Sequence, residues 1–172
     1  MKPGQKFRNA LKNNKPLIIP GTINAYSAKL AELANHNSIY LSGSGVAAAS
    51  YGLPDLGVTT LENVLIDAKR ITSATSLPLL VDIDTGWGDF DAISNTIIEM
   101  GNANVAAVHI EDQIFDKRCG HRPNKQLVSI DEMQDRLKAA LDAKIDDSFF
   151  IMARTDALAS EGIEKAIERC GK

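Results

Sequence analysis

The sequence predicts an α/β fold on a parallel sheet, arranged either as a (β/α) barrel or as an open doubly wound sheet. Three observations lead there. Short runs such as Leu77 to Ile83 are almost wholly apolar, as strands covered on both faces are. Stretches with apolar residues at helical spacing separate these runs. The glycine-rich and ionisable residues follow the apolar runs, at the end where ligands bind in both architectures. Alternating strands and helices call for parallel pairing through right-handed crossovers.

In chain order, Pro16-Leu17-Ile18-Ile19-Pro20 reads as a first strand and Asn24 to Asn35 as a helix. Ser38-Ile39-Tyr40-Leu41 reads as a second strand that ends in Ser42-Gly43-Ser44-Gly45. Thr59 with Glu62 makes a capping box, in which each end group satisfies an amide of the first helical turn. Leu61, Val64, Leu65, Ala68 and Ile71 continue that helix. Leu77 to Ile83 is the third strand; Asp89 caps a helix with a stripe of Phe90, Ile93, Ile97 and Ile98. Val105 to Ile110 is the fourth strand. Ser129 with Glu132 opens a helix whose inner face is Ile130, Met133, Leu137 and Leu141. Phe149 to Ala153 is the fifth strand, and Ser160 caps a last helix that ends near Cys170. No G-x-G-x-x-G follows the first strand, which counts against a dinucleotide site.

Composition narrows the function. The 172 residues suffice for one domain, 1–172, with a sizeable core. A net charge of −3 gives no support to nucleic-acid or anionic-membrane partners. Hydrophobic content of 44% is ordinary, and no apolar run reaches bilayer length. The first residues lack the apolar stretch of a secretory signal, so a cytoplasmic location is expected. Two cysteines make no disulfide framework; Cys170 reads as a buried, inert thiol on a helical face.

Cys119 reads differently. It lies in Asp116 to Lys125, ten residues that also hold four cations and His121. Nearby positive charge favours the reactive thiolate, and Gly120 lets the backbone approach a ligand closely. Asp82-Ile83-Asp84 ends the most apolar strand. Strand alternation would send both carboxylates to one side and Ile83 to the other. Such a pair repels unless a proton or cation joins it; Mg²⁺ usually binds one or two protein carboxylates. Solvated loop aspartates are the plainer alternative. Glu111, ending the next strand, could join directly or through water. Ser42, Gly43 and Ser44 could cradle a carboxylate or serve only as a connector. Arg154, past the fifth strand, presents a fork suited to carboxylates. Tyr40 and Asp55 are further candidates, with strand core and turn as simpler accounts. Trp87 either lines the site or anchors a turn.

These residues resemble a known group. Lys117-Arg118-Cys119-Gly120-His121 is similar to the signature of the isocitrate lyase and phosphoenolpyruvate mutase superfamily, and Arg122-Pro123-Asn124-Lys125 to its methylisocitrate lyase branch. Tyr40-Leu41-Ser42-Gly43, Val81 to Gly88, His109 to Gln113 and Ala153 to Asp156 agree in the same order. The resemblance implies an α/β (β/α)₈ TIM-type barrel, of which this chain carries about the first five units. It implies a homotetramer and a Mg²⁺-dependent cleavage of 2-methylisocitrate to pyruvate and succinate in propionate breakdown. In that scheme Asp82, Asp84 and Glu111 serve the metal, and Ser42, Gly43 and Ser44 hold the pyruvate-like end. Gly120 and Arg154 bind carboxylates, Cys119 is the acid, and Lys117 and His121 tune it. Tyr40 and Asp55 lie nearby. A full barrel takes ~250 residues, so the chain is expected to be part of a longer one. Isocitrate or another 2-hydroxy acid as substrate, or a binding fragment without turnover, are the alternatives.

Overall fold

The structure, a computed structural model, describes residues 1–172. Strands β1 (Ile39–Leu41), β2 (Leu79–Asp82), β3 (Ala107–Glu111) and β4 (Phe150–Arg154) form one sheet in the order β1-β2-β3-β4, every pair parallel. A doubly wound sheet reverses its strand order at a switch point. Here each strand lies beside its predecessor, as in the wall of a (β/α) barrel, so the open-sheet alternative fails.

The helices are α1 (Pro3–Asn13), α2 (Ala25–Leu33), α3 (Gly43–Tyr51), α4 (Leu61–Ala74), α5 (Phe90–Asn102), α6 (Ile130–Asp142), α7 (Ala157–Ser160) and α8 (Ile163–Cys170). None is long and apolar enough to cross a membrane. The expected strand at Pro16–Pro20 does not form. The prolines have no amide hydrogen for a ladder, and only a bridge from Gly21 to Tyr40 remains, with Tyr40 N donating to Pro20 O at 2.9 Å. The segment after β1, read as a carboxylate cradle or a connector, is the start of α3. Helix α1, rich in polar residues, had no counterpart in the sequence reading.

Caps shift by small steps. Thr60, not Thr59, caps α4, pairing with Asn63. Asp89 and Ser129 cap α5 and α6, accepting from Ala92 N at 3.0 Å and Glu132 N at 3.1 Å. Gly162, not Ser160, precedes α8. Cys170 is exposed rather than buried, as are Phe90 and Leu141. Ile93, Ile97 and Met100 carry the buried face of α5, and Met133 and Ala140 that of α6.

The sheet has two different faces. Ile39, Leu41, Val81, Ile83, Val108 and Ile110 pack outward into the main core with the helices. On the inner face the register aligns Tyr40, Leu80, Ala107 and Phe150 in one row. Asp82, His109 and Met152 form the next row, and Glu111 with Arg154 the last. The inner face is therefore apolar where the strands begin and ionisable where they end. Phe7 of α1 seals the apolar end, its ring 5.5 Å from that of Phe150 at 62°. A Cβ on Gly4 would collide with the Ser148 carbonyl, so only glycine lets α1 sit this close.

Trp87 is a turn anchor. Its Nε1 donates to Thr59 O at 2.8 Å, and its ring packs on the main core. Trp87→Phe keeps the ring and strands the Thr59 carbonyl. It should cost about 1–2 kcal/mol in a urea unfolding experiment.

Candidate active site

The inner face ends in a cluster of buried ionisable groups. Strand β2 stops at Asp82, and Asp84 adopts a left-handed backbone at φ 49°. The two carboxylates thus meet through a turn rather than through simple strand alternation. Asp82 Oδ1 accepts from Asp84 N at 3.1 Å, and Asp82 Oδ2 from Gly43 N at 3.3 Å. A Cβ on Gly43 would lie 3.3 Å from Asp84 Oδ1 and 3.4 Å from Asp82 Oδ2, so glycine leaves both carboxylates their space. Ile83 points into the main core, as alternation required. Burial, then the neighbouring Asp82 charge, pushes Asp84 up to about 6 against the pull of Lys117.

Gly43 begins α3, and its N-cap Ser42 accepts from Gly45 N at 3.3 Å. Ser42 and Ser44 share a hydrogen bond at 2.9 Å between their hydroxyls. A helix start with two hydroxyls beside it is suited to an anion.

Two neighbours of Asp82 come from adjacent strands. Tyr40 Oη donates to Asp82 Oδ2 at 3.4 Å and meets His109 Nε2 at 3.0 Å. His109 Nδ1 lies 3.6 Å from Asp82 Oδ1. Burial lowers the histidine below its ordinary range, and it also raises the tyrosine. Tyr40 is therefore both strand core and site wall. His109, read from sequence only as a strand residue, shares the inner face with Glu111 by the two-residue period, the signal that would have found it.

Lys117 joins the cysteine segment to the carboxylates. Its buried ammonium lies 2.6 Å from Asp55 Oδ1 and 2.6 Å from Asp84 Oδ1. It was expected to tune Cys119; no hydrogen bond joins it to the thiol. Burial alone would raise Asp55, yet the Lys117 contact holds it below the usual range, and the Cys119 thiol adds to this by hydrogen bonding. Cys119 Sγ is 4.0 Å from His121 Nδ1, the one close partner His121 has. A cleft of about 600 Å³ opens beside the thiol between Pro54, Asp55, Leu56 and Arg118, Arg122, Pro123.

Arg154 completes the ring. Its Nη1 lies 3.0 Å from Glu111 Oε2, and its Nη2 contacts both oxygens of Asp156 at 3.2 and 3.3 Å. A Cβ on Gly120 would strike this guanidinium and force it to shift, so glycine leaves Arg154 its place between Glu111 and Asp156. Burial pushes Glu111 up to about 8, with Arg154 and Lys117 opposing. A carboxyl raised in the folded state binds its proton more tightly there than in the unfolded chain. Its cost to stability is absent below the unfolded value of 4.5, grows as pH rises to about 8, and is level above that. In metal-free buffer the stability advantage of Glu111→Gln over the parent should widen across that window and then flatten. A gap independent of pH would refute this ionisation.

The donor set fits a hard divalent cation. Asp84 Oδ1 and both Glu111 oxygens are buried without a hydrogen-bond donor, although a lysine and an arginine lie close but off the bonding direction. Buried carboxylate oxygens that accept no hydrogen bond are costly, and a divalent cation would add to the compensation that Lys117 and Arg154 give them. No three histidine, cysteine or carboxylate side chains converge into a closed cage. A closed structural-zinc cage is therefore not built here. Asp82 and Asp84 would be its direct holders. Glu111, taken up by Arg154, would act from further out.

The family model described as phosphoenolpyruvate phosphomutase matches residues 7–172. The chain is 64% identical over 166 residues to a 2-methylisocitrate lyase of Shewanella oneidensis, covering 96% of this chain and 57% of that protein. Among solved structures, oxaloacetate acetylhydrolase in complex with the inhibitor 3,3-difluorooxalacetate superposes at a TM-score of 0.92 and 38% identity, covering 98% of this chain and 58% of that one. Phosphonopyruvate hydrolase in complex with oxalate and Mg²⁺ superposes at 0.84 and 31% identity, covering 99% and 59%. The chain thus spans little more than half the length of these relatives.

Proposed function

The chain belongs to the phosphoenolpyruvate phosphomutase family, within the PEP mutase/isocitrate lyase superfamily, and on that premise we propose that it serves a Mg²⁺-dependent carbon–carbon lyase. The proposed reaction cleaves 2-methylisocitrate to pyruvate and succinate. One observation carries the reading: Lys117 ties the thiol loop directly to Asp84, so the acid and the cation-binding carboxylates share one mouth. Strong identity to proteins named 2-methylisocitrate lyase supports the substrate.

In this reading Asp82 and Asp84 hold Mg²⁺, which supplies Lewis-acid polarisation of the 2-hydroxy acid end. Ser42, Gly43 and Ser44 receive the carboxylate of that end at the start of α3. Arg154 and the Gly120 backbone receive a second carboxylate. The substrate hydroxyl passes its proton to a base at the mouth of the site and becomes the pyruvate carbonyl as the carbon–carbon bond breaks. The electron pair left on the departing carbon takes the proton of Cys119 Sγ, which yields succinate. Asp55, fixed by Lys117, lines the cleft beside the thiol. The same proposal includes a cytoplasmic homo-oligomer.

The test is side-by-side cleavage of 2-methylisocitrate and isocitrate with Mg²⁺. The methylated acid should be the better substrate by roughly ten-fold or more, the scale one methyl group gives in an apolar pocket. Preference for isocitrate would move the assignment to that substrate. Gly43→Ala should raise the Mg²⁺ concentration for half-activation several-fold, because its methyl group crowds both carboxylates. An unchanged titration would mean the ion does not sit above Gly43.

A further inference from the structure

We infer that Gln113 is a positioning residue that fixes the thiol loop against the substrate-binding guanidinium, an inference that rests on the lyase reading above. Gln113 lies two residues past β3 and is 1% exposed. Its Oε1 accepts from Arg118 N at 2.9 Å, and its Nε2 donates to Arg118 O at 2.9 Å. The same Nε2 donates to Asp156 Oδ2 at 2.7 Å. One buried carboxamide thus holds both polar groups of the residue before Cys119 and reaches the aspartate that holds Arg154.

Glutamine is the side chain this arrangement needs, because it presents an acceptor and two donors on one rigid plane. Glutamate lacks the donors and methionine lacks all three. Gln113 is itself fixed by its backbone: its carbonyl accepts from the buried Arg136 Nη1 at 2.9 Å, and its backbone bridges to Leu127. The loop has two other ties, Lys117 to Asp55 and Asp84, and Gly120 O to Lys125 Nζ. Between them, Gln113 sets where the Cys119 peptide sits. It reaches Arg154 through Asp156, so thiol and guanidinium shift together.

Gln113→Met in the full chain separates positioning from folding. Hydrogen exchange of the 116–120 amides should quicken about ten-fold while β3 and β4 keep their protection. In the cleavage assay kcat should fall about ten-fold or more with KM within about three-fold, because orientation is lost rather than binding. Gln113→Glu retains the acceptor for Arg118 N but sets a carboxylate oxygen against Arg118 O and Asp156 Oδ2, and should loosen the loop at least as much. It serves as the second variant if the methionine form does not fold. Unchanged loop exchange, or loosening spread evenly through β3 and β4, would overturn the inference. A loosened loop with a parent that cleaves no 2-methylisocitrate would sink the lyase reading and keep the anchor. A cleaving parent whose variants show an undisturbed loop would do the reverse.

Discussion

Cys119→Ser should bind Mg²⁺ and the organic acid as the parent does and lose most turnover. A serine hydroxyl fits where the thiol stood, within reach of His121, but it is a far weaker proton donor. Removing a positioned general acid costs about 10²–10⁴-fold in rate, so kcat should fall by at least about a hundred-fold with little change in KM. In the proposed reaction the half-buried thiol, 4.0 Å from His121, is the site's most rate-sensitive atom. Retained turnover would remove Cys119 from the chemistry. A loss confined to KM would make it a binding residue.

Lys117→Met should produce the largest loss of stability. The ammonium is 5% exposed and bridges Asp55 and Asp84, and methionine fills similar space without the charge. Removing one partner of a buried ionic group leaves the rest uncompensated, at about 3–5 kcal/mol. Asp84 already sits high through burial and the Asp82 charge, with Lys117 opposing. Without the lysine it should rise further and take up a proton. The loss should therefore be smaller in acid and larger at neutral pH, and Mg²⁺ should restore part of it by replacing the missing positive charge. Urea unfolding with and without Mg²⁺ measures this. A loss under about 1 kcal/mol, typical of an exposed pair, would show that the bridge is not a buried one.

Much of this site was legible in the sequence, and the reasons differ by residue. Asp82, Glu111 and Arg154 end apolar runs, so period and position suffice to place them on the inner face. Gly120 was marked as a close-approach glycine and Gly43 as part of a carboxylate cradle or a connector, and the structure supplies the atoms they approach: the Arg154 guanidinium and the two carboxylates. Lys117 could be assigned to the loop but not to its partners, because Asp55 lies 62 residues away in sequence and no local pattern links them. Gln113 and Asp156 work through hydrogen bonds across separate loops, which sequence spacing does not encode. His109 was legible in principle, two residues before Glu111. The Pro16–Pro20 segment looked like a strand by hydropathy, but its prolines forbid the ladder. Helix α3 was hidden because glycine and serine at a helix start also read as a loop. Both share one lesson: backbone hydrogen-bond capacity, rather than hydropathy, decides short segments.

The central claim is that the carboxylates and the thiol act on one organic acid. Alkylation of Cys119 by iodoacetamide, followed by peptide mass in a Cys170→Ser background, tests it most directly, because the exposed Cys170 would otherwise compete. Pyruvate with succinate should slow alkylation strongly when Mg²⁺ is added and little when it is withheld. In Asp84→Ala the protection should vanish while the unprotected rate persists. Equal alkylation with and without the acids and Mg²⁺ would contradict the account, because the thiol and the carboxylates would then serve different places.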